Sequence, residues 1–210
     1  ARRISKTNLE HQSHGAERTM KPQLGDTILN RYTLVSSLRE EPGIQAWKAN
    51  DRVLAKDCQL FIITDRSAFA AIDKLAGRIA ATRPDRVIPI LKYRMESDVL
   101  LIVMPVDSGQ CLTDYMVDTA KPLSYSAIRS IIGECADVLR EVIADTPSGI
   151  VITTDTVRVT TSGVQIADAP CATMLADTSA TDLRTDAPER YAIRQLAALL
   201  YTLLTRTPSQ

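Results

Sequence analysis

The apolar residues change their period once along this chain, and that change limits the folds open to it. Between Arg31 and Met104 they come in short runs bounded by turn formers; beyond Leu112 they recur mainly at helical spacing. Tyr32-Thr33-Leu34-Val35 is rich in strand formers. The turn Glu40-Glu41-Pro42-Gly43 and a run over Ile44–Ala49 complete a predicted hairpin. Val53-Leu54 leads into a third strand, Cys58–Ile63. Ser67 is the expected cap of a helix reaching about Ala81, with Phe69, Ile72, Leu75, Ala76 and Ile79 on one face. Strands are predicted at 87–93 and 99–104, joined by Glu96-Ser97-Asp98.

Pro105 ends the last of these strands, and Asp107-Ser108-Gly109 forms a loop before a short helix, Leu112–Met116. Ser124 opens a long helix to about Asp145, with Ile128, Ile131, Ile132, Cys135, Val138, Leu139 and Val142 at helical spacing. Pro147-Ser148-Gly149 precedes two strands, Val157–Val159 and Val164–Ile166, turning at 160–163. Residues 171–189 read as a loop of Ala, Thr, Asp and Ser. The last helix, Tyr191–Leu204, carries Ile193, Leu196, Ala197, Leu200 and Leu203. The class is therefore α+β: five strands and one helix, then a mainly helical half. Residues 1–22 show no hydrophobic period and read as a tail or linker. Their cations Arg2, Arg3, Lys6, Arg18 and Lys21 would suit an anionic lipid surface, but interruption by acidic and neutral residues favours a solvated linker.

With 210 residues the chain can bury one sizeable core or two small lobes. Lysine and arginine total 25, as do aspartate and glutamate, so net charge gives no reason to expect nucleic acid. There is no apolar stretch of membrane-spanning length and no signal-peptide pattern, so the expectation is a soluble domain, whether free or cut from a membrane protein. Cys58, Cys111, Cys135 and Cys171 are far apart, each in an apolar setting and without a C-x-x-C, which argues for reduced cytosolic thiols and against zinc. His11 and His14 are the only histidines, and both lie in the tail. That removes Ser-His-Asp, Cys-His and histidine metal sites from the folded part. Phosphate-binding glycine motifs are absent as well.

Several landmarks follow one another in a telling order: Arg31-Tyr32-Thr33-Leu34, Trp47-Lys48-Ala49-Asn50-Asp51, Leu101-Ile102-Val103-Met104, and the Leu196–Thr205 run Leu-Ala-Ala-Leu-Leu-Tyr-Thr-Leu-Leu-Thr. From about Gly25 to Pro208 this series resembles actinobacterial Ser/Thr protein kinases. Within that family it most resembles the cytoplasmic pseudokinase domains of MurJ-like lipid II flippases in mycobacteria. The resemblance implies a protein-kinase-like two-lobe fold, with a five-stranded amino lobe over 23–104 and a truncated, mainly helical carboxyl lobe over 105–210. The truncation would leave the apolar face of the last helix partly uncovered.

The same resemblance implies that phosphoryl-transfer chemistry is lost. Phe61 stands in the slot of the phosphate-anchoring lysine, and a phenyl ring cannot balance phosphate charge. The three glycine positions of the phosphate loop carry Arg39, Glu41 and Ile44, while Glu40 and Glu41 would repel phosphate oxygens. Gly43 reads as a turn former. Asp73 and Lys74, nearest the helix partner of the missing lysine, read as solvated charges. The segment Ser148–Thr156 takes the place of the catalytic loop about three residues short, and its only acid, Asp155, reads as a turn former. Asp168-Ala169-Pro170 replaces D-F-G. Asp168 could still meet a metal, but a single carboxylate makes a poor magnesium site. Ala187-Pro188-Glu189 lies too close to the last helix to end an activation segment. Ala192 stands near the place of an expected aspartate. No enzyme activity, cofactor or metal is expected.

A partner role remains. Thr173, Thr178, Thr181 and Thr185 in the loop, with Thr205 and Thr207 beyond, are candidates for phosphorylation by a genuine Ser/Thr protein kinase. Forkhead-associated domains read phosphothreonine, so one of them is the expected partner. Membrane contact would come only through a parent transmembrane protein, on the cytoplasmic side of the plasma membrane, with a role in peptidoglycan precursor export. The competing expectation is a nucleotide-sensing or atypical kinase domain using Asp155 or Asp168. A third is an unrelated α+β fold.

Overall fold

A computed structural model describes residues 21–96, 98–117, 122–143, 150–175 and 188–206. Strands β2 (Tyr32–Glu41) and β3 (Ile44–Asp51) form the first hairpin, turning over Pro42-Gly43. Proline presets the first turn position and glycine takes the positive φ of the second, here 79°. The pairing Tyr32↔Asp51, Thr33↔Asn50, Leu34↔Ala49 brings two of the sequence landmarks side by side. Arg31 then reaches Asp51 through two contacts of 2.9 and 2.6 Å. Two register shifts in β2, at Leu34/Ser36 and Ser37/Arg39, are bulges of the kind that bend and twist a strand.

β4 (Lys56–Ile63) continues the sheet, and α1 (Arg66–Thr82) follows. Asp65, not Ser67, caps α1: its carboxylate accepts from the Ser67 amide at 2.9 Å and from the Ser67 hydroxyl at 2.6 Å. With the edge strand β1 (Thr27–Ile28), β5 (Lys92–Glu96) and β6 (Val99–Pro105) complete the sheet in the order β1-β2-β3-β4-β6-β5, antiparallel throughout. The sheet has six strands rather than the expected five, because the short edge strand β1 (Thr27–Ile28) adds to β2. The strand expected over 87–93 is confined to β5. Val87 and Ile88 turn aside, and Ile88 donates its amide to Ile166 O at 2.9 Å.

Beyond β6 come β7 (Gln110–Cys111), α2 (Leu112–Val117), α3 (Tyr125–Ile143), β8 (Val157–Thr160), β9 (Gly163–Ile166), α4 (Ala172–Leu175) and α5 (Pro188–Thr205). β7, β8 and β9 form a small second sheet. The fold is thus mixed α+β, with a curled antiparallel sheet followed by helices around a smaller one. No helix among the described residues is long and apolar enough to cross a membrane.

Among the described residues, three apolar clusters hold these layers. Phe61, Ile63, Leu100, Ile102 and Met104 pack on Phe69, Ile72 and Ala76 of α1. The opposite face of the sheet gathers Tyr32, Leu34, Trp47, Leu60, Leu101 and Val103; its curl brings β2 and β6 into one cluster. The third joins α3, α5 and the small sheet through Ile131, Val138, Leu139, Ile166, Leu199 and Leu203. α5 is apolar on more than one side. It buries Ala192, Gln195, Leu199 and Leu203, and leaves Ile193, Leu200, Tyr201 and Leu204 exposed, although Ile193 and Leu200 belong to the expected apolar set.

Candidate functional site

β4 has its side chains alternating between the two faces of the sheet. Phe61 falls on the α1 face and is fully buried. It shares a cluster with Phe69, Ile72 and Ala76, and with Ala167 and Cys171, which flank the Asp168 segment. The α1 side chains in this cluster are apolar, while Asp73 is half-buried and Lys74 exposed. Two residues before Phe61, Gln59 faces the same side, and its Nε2 donates to Asp168 Oδ1 at 3.4 Å.

The β2–β3 turn is fastened down. Gly43 O accepts the amides of Thr64 at 2.8 Å and Asp65 at 3.2 Å. A side chain at Gly43 would meet Asp65 Cβ at 2.6 Å, so both the close approach and the positive φ require glycine. Of the three expected loop positions, Ile44 is core, while Arg39 and Glu41 face one another at 3.5 Å. Glu40 pairs with Lys21.

A polar cluster sits where the two sheets meet, and Arg158 on β8 is its centre. Arg158 Nε donates to Asp107 Oδ2 at 2.8 Å, Nη1 donates to the Asp155 carbonyl and to Cys111 Sγ, and Nη2 lies 4.0 Å from Asp168 Oδ2. The side chains of Arg158 and Asp168 are 13% and 9% exposed, so little water competes for these contacts. Cys111 in turn donates to Thr154 O at 3.4 Å. Cys111 is half-buried among polar partners, unlike the apolar setting expected for all four thiols. Burial pushes Cys58 up to about 11, Cys135 up to about 12 and Cys171 well above its ordinary value, which keeps these thiols protonated.

Asp168 has a left-handed backbone, φ 63°, which a non-glycine residue adopts at some cost. Burial pushes its carboxyl up, and Asp107 adds to the rise; Arg158, Arg39 and Gln59 oppose it. Asp155 plays a different part. It is exposed in the 153–156 turn, where its Oδ1 accepts from Thr113 Oγ1 at 2.7 Å. The fold therefore brings Gln59, Asp107, Arg158 and Asp168 together, with Asp155 contributing its backbone and Arg39 its charge. Among the described residues, no three His, Cys, Asp or Glu side chains converge on a common point fit for a metal.

Gln195 holds the segment that leads into the 153–156 turn. It is buried on α5, accepts from the Ile152 amide at 2.6 Å and donates to Ile150 O at 3.3 Å. The Ile152 amide and the Ile150 carbonyl are thereby satisfied inside the core. Sequence reading missed both Arg158 and Gln195. The available signal for Gln195 was a polar side chain on the stripe Ala192, Gln195, Leu199; for Arg158 it was a charge inside a short strand.

Of the threonine candidates, Thr205 is exposed near the end of α5 and donates to Tyr201 O at 2.8 Å. Thr173 lies on α4, whereas Thr178, Thr181, Thr185 and Thr207 fall outside the described residues. The open depression on α3, lined by Tyr125, Ser126, Arg129 and Glu134 among others, shares no residue with the Arg158 cluster. No family model matches the chain, and no curated protein matches it.

Proposed function

We propose that this chain is a catalytically inactive, kinase-like two-lobe domain that works as a phosphorylation-dependent interaction scaffold. The amino lobe is 23–104 and the carboxyl lobe 105–210. The observation that carries the reading is Phe61, fully buried against the apolar face of α1 where an anchoring lysine would need a cleft and an acidic partner. The Pro42-Gly43 turn adds support: its carbonyl is committed to Thr64 and Asp65, and the acids beside it disfavour a triphosphate. With no cation at the Phe61 position, the scaffold is the asset that remains.

The scaffold acts through threonine. A Ser/Thr protein kinase modifies one of Thr173, Thr178, Thr181, Thr185, Thr205 or Thr207, and the new dianion recruits an arginine-bearing forkhead-associated domain. As the cytoplasmic part of a membrane-bound lipid II flippase, the domain would couple wall-precursor export to kinase signalling. The test is incubation with an active Ser/Thr kinase, then mass spectrometry and a forkhead-associated pull-down. Phosphothreonine with phosphorylation-dependent capture supports the scaffold; absence of both overturns it. Titration with ATP and magnesium should leave the melting temperature unchanged. A saturable rise would instead mark a nucleotide-sensing domain, because a ligand that binds the native state stabilises it.

A further inference from the structure

Asp107 lies near Asp168 at the junction of the two sheets and raises the cost of the Asp168 charge. The guanidinium of Arg158 reaches both, at 2.8 and 4.0 Å. Its remaining donors reach Cys111 Sγ and the Asp155 carbonyl. The acceptors thus come from the β6–β7 loop, from β7, from the 153–156 turn and from the segment after β9, while Gln59 of the large sheet holds the far side of Asp168. A guanidinium presents five donors in a planar fork, which suits several acceptors in different directions; an ammonium is a point charge with three.

We propose that Arg158 is a built-in ligand: its guanidinium fills an acidic recess at the junction of the two sheets and, through Asp168 and Gln59, ties the small sheet to the large one. Asp107, Asp168, Cys111 and the Asp155 carbonyl form the recess. Emptied of the side chain, it is a binding site for a small alkylguanidinium. This assignment rests on the junction geometry alone and stands apart from the kinase-like reading.

Arg158→Ala empties the recess, and the probe is methylguanidinium. Amide hydrogen exchange at 58–61 and 166–171 should accelerate about tenfold or more, the factor expected for loss of one charged hydrogen bond. Methylguanidinium at tens of millimolar should slow that exchange toward the native rate in Arg158→Ala and leave the unsubstituted chain unaffected. Methylammonium at equal concentration, and methylguanidinium with Arg158→Ala/Asp107→Asn, should not. Unchanged exchange in the folded Arg158→Ala chain overturns the proposal, as does equal rescue by methylammonium. If Arg158→Ala does not fold, Arg158→Lys decides. Faster exchange at the same amides, with charge kept and the fork lost, upholds the assignment; native exchange defeats it.

Discussion

Asp51 and Asp168 are almost equally buried, at 5% and 8% exposure, and each faces an arginine, yet their carboxyls shift in opposite directions. Arg31 meets Asp51 with two short hydrogen bonds, and the amides of Val53 and Leu54 add two more at 3.0 and 3.3 Å. These hold the Asp51 carboxyl down at about 2, against the opposing effect of burial. Asp168 has one long hydrogen bond from Gln59 and a guanidinium at 4.0 Å that is already engaged by Asp107. There burial wins and the carboxyl is pushed up. An arginine nearby is thus not sufficient; the number and length of the bonds to the ionised form decide. The first pair fastens a hairpin of one sheet; the second lies beside the small sheet, reaches the large one through Gln59, and shares the junction with other, apolar packing.

That other packing should give the largest effect. Phe61 fills the apolar layer beside the Asp168 segment, so Phe61→Ala should cost about 3–5 kcal/mol. Chemical denaturation measures it. A loss as small as that expected at either carboxylate would mean that the ion pairs, not the apolar layer, set the junction.

A neutral polar contact gives the next test. Gln195→Leu would strand the Ile152 amide and the Ile150 carbonyl in the core, at about 1–3 kcal/mol for each group left unpaired. The expected total is about 3 kcal/mol by denaturant titration. A neutral outcome would show that these groups find other partners.

The large sheet was readable in sequence because strand period, Pro-Gly turn and helix stripe agree locally over 32–104. Its edge was less so: Thr27–Ile28 is too short to show a period, and the 87–91 stretch has strand composition but is drawn off by β9. Asp65 and Ser67 are equally good capping types, so local sequence does not separate them. The junction was the least legible. Gln59, Asp107, Arg158 and Asp168 share no local pattern, and only the closing of one sheet on the other gives them a common address. The burial of Phe61, by contrast, follows from the apolar run of a single strand.

Acid sharpens the carboxylate comparison. Because the folded value of Asp51 lies below its ordinary one of 3.8, its pair stabilises the fold at pH above that ordinary range. The contribution, about 2 kcal/mol, fades as pH falls from near 4 through about 2. Asp51→Asn should remove this part of the acid dependence and lower stability at pH 7 while leaving pH 2 nearly unchanged. A parallel loss at both pH values would mean that Asp51 acts by shape and not by charge.

Asp168 carries the opposite sign and the smallest effect. Its folded value is raised, so the ionised carboxylate is less favourable in the fold than in the unfolded chain. The cost is present above the raised value and disappears as pH falls through it toward the ordinary carboxylate range. Asp168→Asn keeps the size of the side chain and an acceptor for Gln59 while removing the charge. It should leave stability at pH 7 unchanged or raise it by up to about 1 kcal/mol, with no difference from the native chain at pH 3. Arg158 would still hold Asp107 at 2.8 Å, so its charge stays paired. A marked loss at pH 7 would place Asp168 with Asp51, as a carboxylate whose arginine outweighs burial. The two pairs would then differ in geometry but not in kind.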